Sequence, residues 1–248
     1  MSSNRLADKV ALISGGAGGM GASHARAIVA EGGRVVIGDL AQEAGEALAQ
    51  ELGEAAVFTP LDVTDTEQWE QAVATAQAHF GQLNVLVNNA GIHSGGPTER
   101  VSDADWDRIV GINLTGTFKG IRAAIPALKE AAPSSIVNIS STAGLKGFAD
   151  AAGYNATKFG IRGLTKAVAV ELADKGVRVN SVHPGNVMTS MIEGLYASFD
   201  HVPMKRAAAA EEISNLVVFL ASDDSSFSTG SEFVADGGET TGIPDLFD

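Results

Sequence analysis

The sequence predicts an α/β protein: a Rossmann-type doubly wound sheet of about seven parallel strands with helices on both faces. Three observations carry that expectation. Short apolar runs alternate with longer helical patterns from end to end, the runs are rich in Val and Ile, and a glycine-rich turn joins the first run to the first helix. Continuous apolar runs, as opposed to alternating ones, are what a strand covered on both faces requires.

The expected strands are Val10–Ser14, Arg34–Asp39, Ala56–Leu61, Val85–Asn88, Ser135–Ser140, Arg178–His183 and Glu232–Ala235. The expected helices are Gly21–Glu31, Gln42–Leu52, Thr66–Phe80, Asp103–Glu130, Tyr154–Asp174 and Glu211–Leu220. No Pro/Ser-rich linker or charge block divides the 248 residues, so residues 1–248 read as one domain. Residues 185–206 are the least regular. They carry Met188, Met191, Ile192, Leu195, Tyr196 and Phe199 directly after the sixth strand, where an apolar lid over a ligand at the carboxyl ends of the strands is expected. The alternative for these side chains is ordinary core packing.

Composition narrows the partners. Apolar residues make up 45% of the chain, enough for a substantial core, and the formal net charge of −13 opposes binding to nucleic acid or to anionic membrane surfaces. Cysteine is absent, which excludes disulfides, thiolate zinc sites and cysteine nucleophiles. His24, His79, His93, His183 and His201 lack the paired spacing of a zinc site and mostly fit helix surfaces or loops, so no metal is expected. The polar stretch Met1–Lys9 has no signal-peptide core, and no run reaches the ~20 apolar residues of a membrane span. A cytoplasmic protein is expected.

The first turn reads Ser14-Gly15-Gly16-Ala17-Gly18-Gly19-Met20-Gly21. Glycines at such a place let the backbone turn tightly and approach a pyrophosphate, whose charge the helix N-terminus stabilises. Alone, the turn is weak evidence, because an ordinary βα loop can look the same. Asp39 ends the second strand eighteen residues after Gly21, where a carboxylate can accept hydrogen bonds from both adenosine ribose hydroxyls, with Leu40 beside it. It also repels a 2′-phosphate by roughly 1 kcal/mol in water and ~4 at an effective dielectric of 20. That corresponds to about a tenfold to thousandfold preference for NAD over NADP. No Arg or Lys lies between Gly15 and Gly21 to offset it. Asp62 and Val63 after the third strand, and Asn89, Ala90 and Gly91 after the fourth, suit the walls of a nucleotide cleft. Capping and turn roles fit the same residues.

The chemical end centres on Tyr154-Asn155-Ala156-Thr157-Lys158, whose Tyr and Lys share a helical face. Ser141 lies thirteen residues before Tyr154, and Asn113 sits among apolar residues of an earlier helix. Oxidising an alcohol requires removal of the hydroxyl proton as hydride leaves the same carbon. Free tyrosine, with a pKa of ~10, is a poor base at neutral pH, but a nearby ammonium and a positive nicotinamide ring stabilise its phenolate. A shift of three units needs about 4 kcal/mol, within reach of two nearby cations. Ser141 could then hydrogen-bond the substrate oxygen, and Asn113 could place a water that relays the proton through Lys158.

Ser14–Gly21, Asn88–Gly91, Asn113, Ser141, Tyr154, Lys158 and His183–Thr189 together resemble the motif set of the short-chain dehydrogenase/reductase family, over essentially the whole chain. The resemblance implies a catalytic tetrad of Asn113, Ser141, Tyr154 and Lys158. It also implies cofactor contacts by Gly15, Gly18, Gly19, Met20, Gly21, Tyr154, Lys158, Pro184, Val187 and Thr189, and a homotetramer. Gly18 departs from the Arg that many relatives carry, and that loss agrees with Asp39. Ser14–Glu31 and Glu212–Gly238 look like actinobacterial hydroxysteroid dehydrogenases acting at 3α or 20β positions. A small lipophilic alcohol or ketone is therefore the expected substrate. The main rival within enzymes is a 3-oxoacyl-acyl-carrier-protein reductase, which Asp39 and the acidic charge count against. A rival of another class is an NAD-binding sensor without turnover.

Overall fold

The computed structural model describes residues 4–189 and 198–242. Seven parallel strands form one sheet in the order β3-β2-β1-β4-β5-β6-β7. They are β1 (Val10–Ser14), β2 (Arg34–Asp39), β3 (Ala56–Pro60), β4 (Val85–Asn88), β5 (Ser134–Ile139), β6 (Val177–Pro184) and β7 (Glu232–Ala235). The helices are α1 (Gly19–Ala30), α2 (Gln42–Leu52), α3 (Thr66–Phe80), α4 (Asp103–Val110), α5 (Gly116–Glu130), α6 (Ala152–Leu172) and α7 (Ala210–Ala221). β1 pairs with both β2 and β4, so the direction of winding reverses there and a crevice opens at the carboxyl ends of the strands.

Period-two alternation sends successive strand residues to opposite faces, and each face has its own core. On one, Leu12, Val36, Leu86, Ile136 and Val179 pack with Trp69 of α3, Leu128 of α5 and Leu172 of α6. On the other, Ile13, Ile37, Val87, Val137 and Val182 pack with Ile28 of α1, Leu48 of α2 and Val217 of α7. The caps follow the local sequence. Asp65 accepts from the backbone N–H groups of Glu67 and Gln68 to start α3, and Ser102 accepts from Asp105 N–H to start α4.

Three expectations need correction. The stretch expected as one helix, Asp103–Glu130, is interrupted by a π-helical turn at Gly111–Thr115, and Asn113 is buried within it. Periodicity over so long a run does not register one extra residue. The third strand ends at Pro60, one residue short of Leu61, whose N–H makes the last bond of the ladder, to Asp39 O at 3.0 Å. His24, expected on a helix surface, is fully buried, as is His183 at the end of the expected sixth strand. His24 faces α7 and hydrogen-bonds Ser214 Oγ at 2.8 Å, while His183 lies inside β6.

Within residues 185–206, the flanks are tied together: Val187 bridges Ala208, and Met188 N–H donates to Ala208 O at 2.9 Å. Met188 itself is more than half exposed. Met191, Ile192, Leu195 and Tyr196 lie outside the described residues.

Candidate active site

The glycine turn is shaped by its glycines and held by the side chains of Ser14, Asn89 and Asp39. Gly15 takes φ +62°, a conformation unfavourable for residues with a Cβ, and a Cβ there would come within 2.9 Å of Ala90 Cα. A Cβ on Gly21 would overlap the Gly15 carbonyl. The turn is pinned to the fourth strand by Asn89, whose Nδ2 donates to Ser14 O and Gly15 O at 3.1 and 2.9 Å. Ser14 Oγ accepts in return from Asn89 and Ala90 N–H. Asp39 Oδ2 accepts from Ala17 N–H at 2.9 Å and Oδ1 from Ala41 N–H at 3.0 Å. The carboxylate therefore buttresses the turn as well as ending β2, and each oxygen keeps a second lone pair.

Gly15, Asp39, Leu40, Asp62, Val63, Ala90 and Gly91 come together along one cleft of about 650 Å³. Thr64, Ile92, Asp107, Arg108 and Ile112 also line it and were not singled out by sequence. Arg108 sits on α4, five residues before Asn113, and the fold brings it to the cleft. Asp62 Oδ1 accepts from Thr64 N–H and Thr64 Oγ–H, a local turn that fixes the carboxylate at the rim. Gly18, Gly19, Met20, Pro184, Val187 and Thr189 are not on this cleft wall. Thr189 nevertheless meets the glycine turn, 3.6 Å from where a Gly19 Cβ would stand. Glycine-lined backbone, a free acceptor edge on Asp39 and a buried cation further along fit a nicotinamide dinucleotide.

The chemical residues gather at the carboxyl ends of β4 to β6. Tyr154 and Lys158 occupy the first turns of α6, with Lys158 Nζ 5.5 Å from the Tyr154 ring centroid. Lys158 is buried and donates to Ile139 O at 3.0 Å; burial pushes its pKa down to about 8. Gly91 closes toward the same place, since a Cβ on it would lie 3.6 Å from Lys158 Nζ and 3.3 Å from Asn113 Oδ1. Asn113 clasps the backbone of Ile92: Oδ1 accepts from its N–H at 2.8 Å and Nδ2 donates to its carbonyl at 2.9 Å. Its Nδ2 also reaches Thr157 Oγ1 at 3.3 Å, and Thr157 Oγ1 donates to Tyr154 O. The amide thus joins the loop after β4 to the start of α6.

Ser141 follows β5 and caps a short 3-10 turn, Thr142–Gly144, its Oγ accepting from Ala143 N–H at 3.1 Å. That bond occupies a lone pair and leaves the hydroxyl proton to donate elsewhere. Asn155 holds the rest of this loop, donating to Ala143 O and Lys146 O and accepting from Phe148 N–H. Arg162 donates to Gly144 O at 2.7 Å and pairs with Glu232 of β7. His93 meets the Tyr154 ring edge-on at 5.0 Å between centroids. Arg162 and His93 carry no spacing signal; an asparagine inside an apolar strand is itself a signal of a buried partner, and Asn88 Nδ2 donates to Asn138 Oδ1 at 2.8 Å.

Among the described residues no group of three or more His, Asp or Glu is placed to hold a metal ion, and no helix is long and apolar enough to cross a membrane.

A family profile described as enoyl-(acyl carrier protein) reductase matches residues 15–240. The chain belongs to the short-chain dehydrogenase/reductase family. It is 55% identical over 241 residues to a 3-alpha-(or 20-beta)-hydroxysteroid dehydrogenase of Mycobacterium tuberculosis, covering 97% of this chain and 93% of that protein. It is 51% identical to trans-4-hydroxycyclohexanecarboxylate dehydrogenase of Sinomonas cyclohexanicum, covering 97% and 96%. To cyclopentanol dehydrogenase of Comamonas testosteroni it is 43% identical, covering 95% and 98%.

Proposed function

We propose that this chain interconverts a secondary alcohol and a ketone with NAD(H), on a lipophilic cyclic substrate of the 3α- or 20β-hydroxysteroid kind. The observation that supports the reading is buried Lys158 Nζ, held at Ile139 O beside the Tyr154 ring and next to Gly91 of the cleft wall, with Ser141 two residues beyond Ile139. Bound nicotinamide supplies or accepts the hydride at the carbinol carbon. Tyr154 gives a proton to the carbonyl oxygen in reduction and removes it in oxidation. Lys158, protonated below about pH 8, places a cation beside the phenol and stabilises the phenolate. Ser141 Oγ–H donates to the substrate oxygen and holds it at Tyr154. Asn113 secures Ile92 and the start of α6, keeping Gly91, Lys158 and Tyr154 in register.

Asp39 supports NAD over NADP, because its edge toward the cleft is anionic and Gly18 presents no cation. The apolar lid at about 185–206, the single domain of residues 1–248 and a homotetramer belong to the same reading. Half-exposed Phe118 on α5 and Phe159 on α6 supply apolar surface suited to association. The relatives that act on cyclohexane and cyclopentane alcohols favour a second reading, in which the substrate is a monocyclic alcohol.

The test is NADH and NADPH oxidation against 3-keto and 20-keto steroids, cyclic and aryl ketones, and an acetoacetyl thioester. NADH-specific turnover of steroids above small ketones supports the first reading. Preference for cyclohexanones moves the substrate to the second, and preference for the thioester with NADPH overturns both.

A further inference from the structure

The parallel ladder between β5 and β6 stops at the point where the site begins. Ser140 N–H donates to Val182 O at 2.8 Å, one residue beyond the last paired positions, Ile139 and Val182. The next donor from β6 would be the N–H of residue 184, and Pro184 has none. That N–H would have reached Ser140 O, so the ladder ends at Ser140 and Ser141 lies one residue beyond it. A side chain takes over: His183 Nδ1 lies 3.1 Å from Ser141 O, and His183 Nε2 lies 2.9 Å from Ser181 Oγ. A carbonyl oxygen has no proton to give, so Nδ1 carries the hydrogen, and in the neutral ring Nε2 accepts from the Ser181 hydroxyl.

We propose that His183 is a positioning residue for Ser141, its Nδ1–H tying the Ser141 carbonyl to β6 just beyond the end of the ladder and so fixing the Ser141 hydroxyl against the substrate oxygen. The inference rests on the reading of Ser141 as the donor to that oxygen. Burial lowers the pKa of His183, opposed by the bond to Ser141 and by Glu232 of β7 and assisted by Arg162 and Lys158 of α6. The neutral Nδ1–H tautomer is the form that serves both partners.

The test compares His183→Asn with His183→Gln in ketone reduction by the cofactor-loaded enzyme. Asparagine places an amide N–H near the position of Nδ1, whereas glutamine places one near Nε2. The expected result is a kcat about tenfold or more higher for the Asn variant, with KM for the ketone within about threefold between them, because small misplacement of a reacting group is expensive. Equal kcat values, or a higher one for Gln, overturn the proposal. A purely packing role gives no reason for that order, since both amides are polar and of similar size. Nitrogen-15 NMR of the parent protein at pH 7 needs no variant: a protonated Nδ1 with a bare Nε2 supports the proposal, and the opposite tautomer or an imidazolium overturns it. Ser141→Ala separates the two failures. Parent-like turnover in that variant sinks the role of Ser141 itself. A dead Ser141→Ala alongside equal Asn and Gln variants sinks only the role of His183.

Discussion

The two ends of the cleft are built by different means. Around β1 to β3, the cleft wall is main chain at glycines without room for a Cβ, held in place from behind by the side chains of Ser14, Asn89 and Asp39. Around β4 to β6, the geometry depends on side chains that each hold a backbone group in another element: Asn113 on Ile92, Asn155 on Ala143 and Lys146, Lys158 on Ile139, His183 on Ser141. A site made of backbone tolerates most side-chain changes and fails where space runs out. One made of side chains fails by the loss of single functional groups.

The sharpest contrast is expected from Tyr154→Phe. It removes only an oxygen from the side-chain-built end, and turnover should fall by roughly 10³-fold or more, while NADH affinity measured by fluorescence stays within about threefold. Appreciable residual turnover breaks the assignment of Tyr154. Asp39→Ala acts on the other end. The NAD/NADP ratio of kcat/KM should narrow by about tenfold to thousandfold, with little change in kcat for NADH. An unchanged ratio places the ribose contact elsewhere, with Arg108 the next residue to examine.

The smallest effect concerns stability. His24 joins α1 to α7, and burial lowers its pKa from 6.5 to about 3. Between those values the unfolded chain binds the proton and the folded one does not, so stability is full above pH 6.5 and falls as pH drops toward 3. Relative to His24→Gln, the parent should lose about 1.4 kcal/mol per pH unit across that window. Parallel urea titrations at pH 7, 5.5 and 4.5 check this; a constant difference shows that His24 protonates without consequence for the fold.

The same division explains what could be read from sequence. The seven strands were legible within a residue or two because burial on both faces demands unbroken runs such as VALIS and RVVIGD. The glycine turn, Asp39 and the Tyr154–Lys158 pair were legible because local spacing encodes them. The place of Arg108 and the contacts of Asn155 and His183 were not: the fold alone brings Arg108 to the cleft, and the other two hold backbone groups of other segments that no spacing names. His24 was misplaced for a related reason: a polar residue in a helix reads as surface unless its partner, Ser214, is known to face it.

The π-helical turn at Gly111–Thr115 has an evolutionary side. Closing a turn with five residues instead of four adds one residue without otherwise altering the rod, and each residue advances an α-helix by about 100°. Deleting one codon within 111–115 would either restore a regular helix and swing Asn113 away from Ile92, or rotate all of α5 against α3, where Gly120 already leaves no room beside Trp69. A single in-frame insertion or deletion is thus enough to assemble or dismantle this corner of the site, a larger functional step than most point substitutions can take.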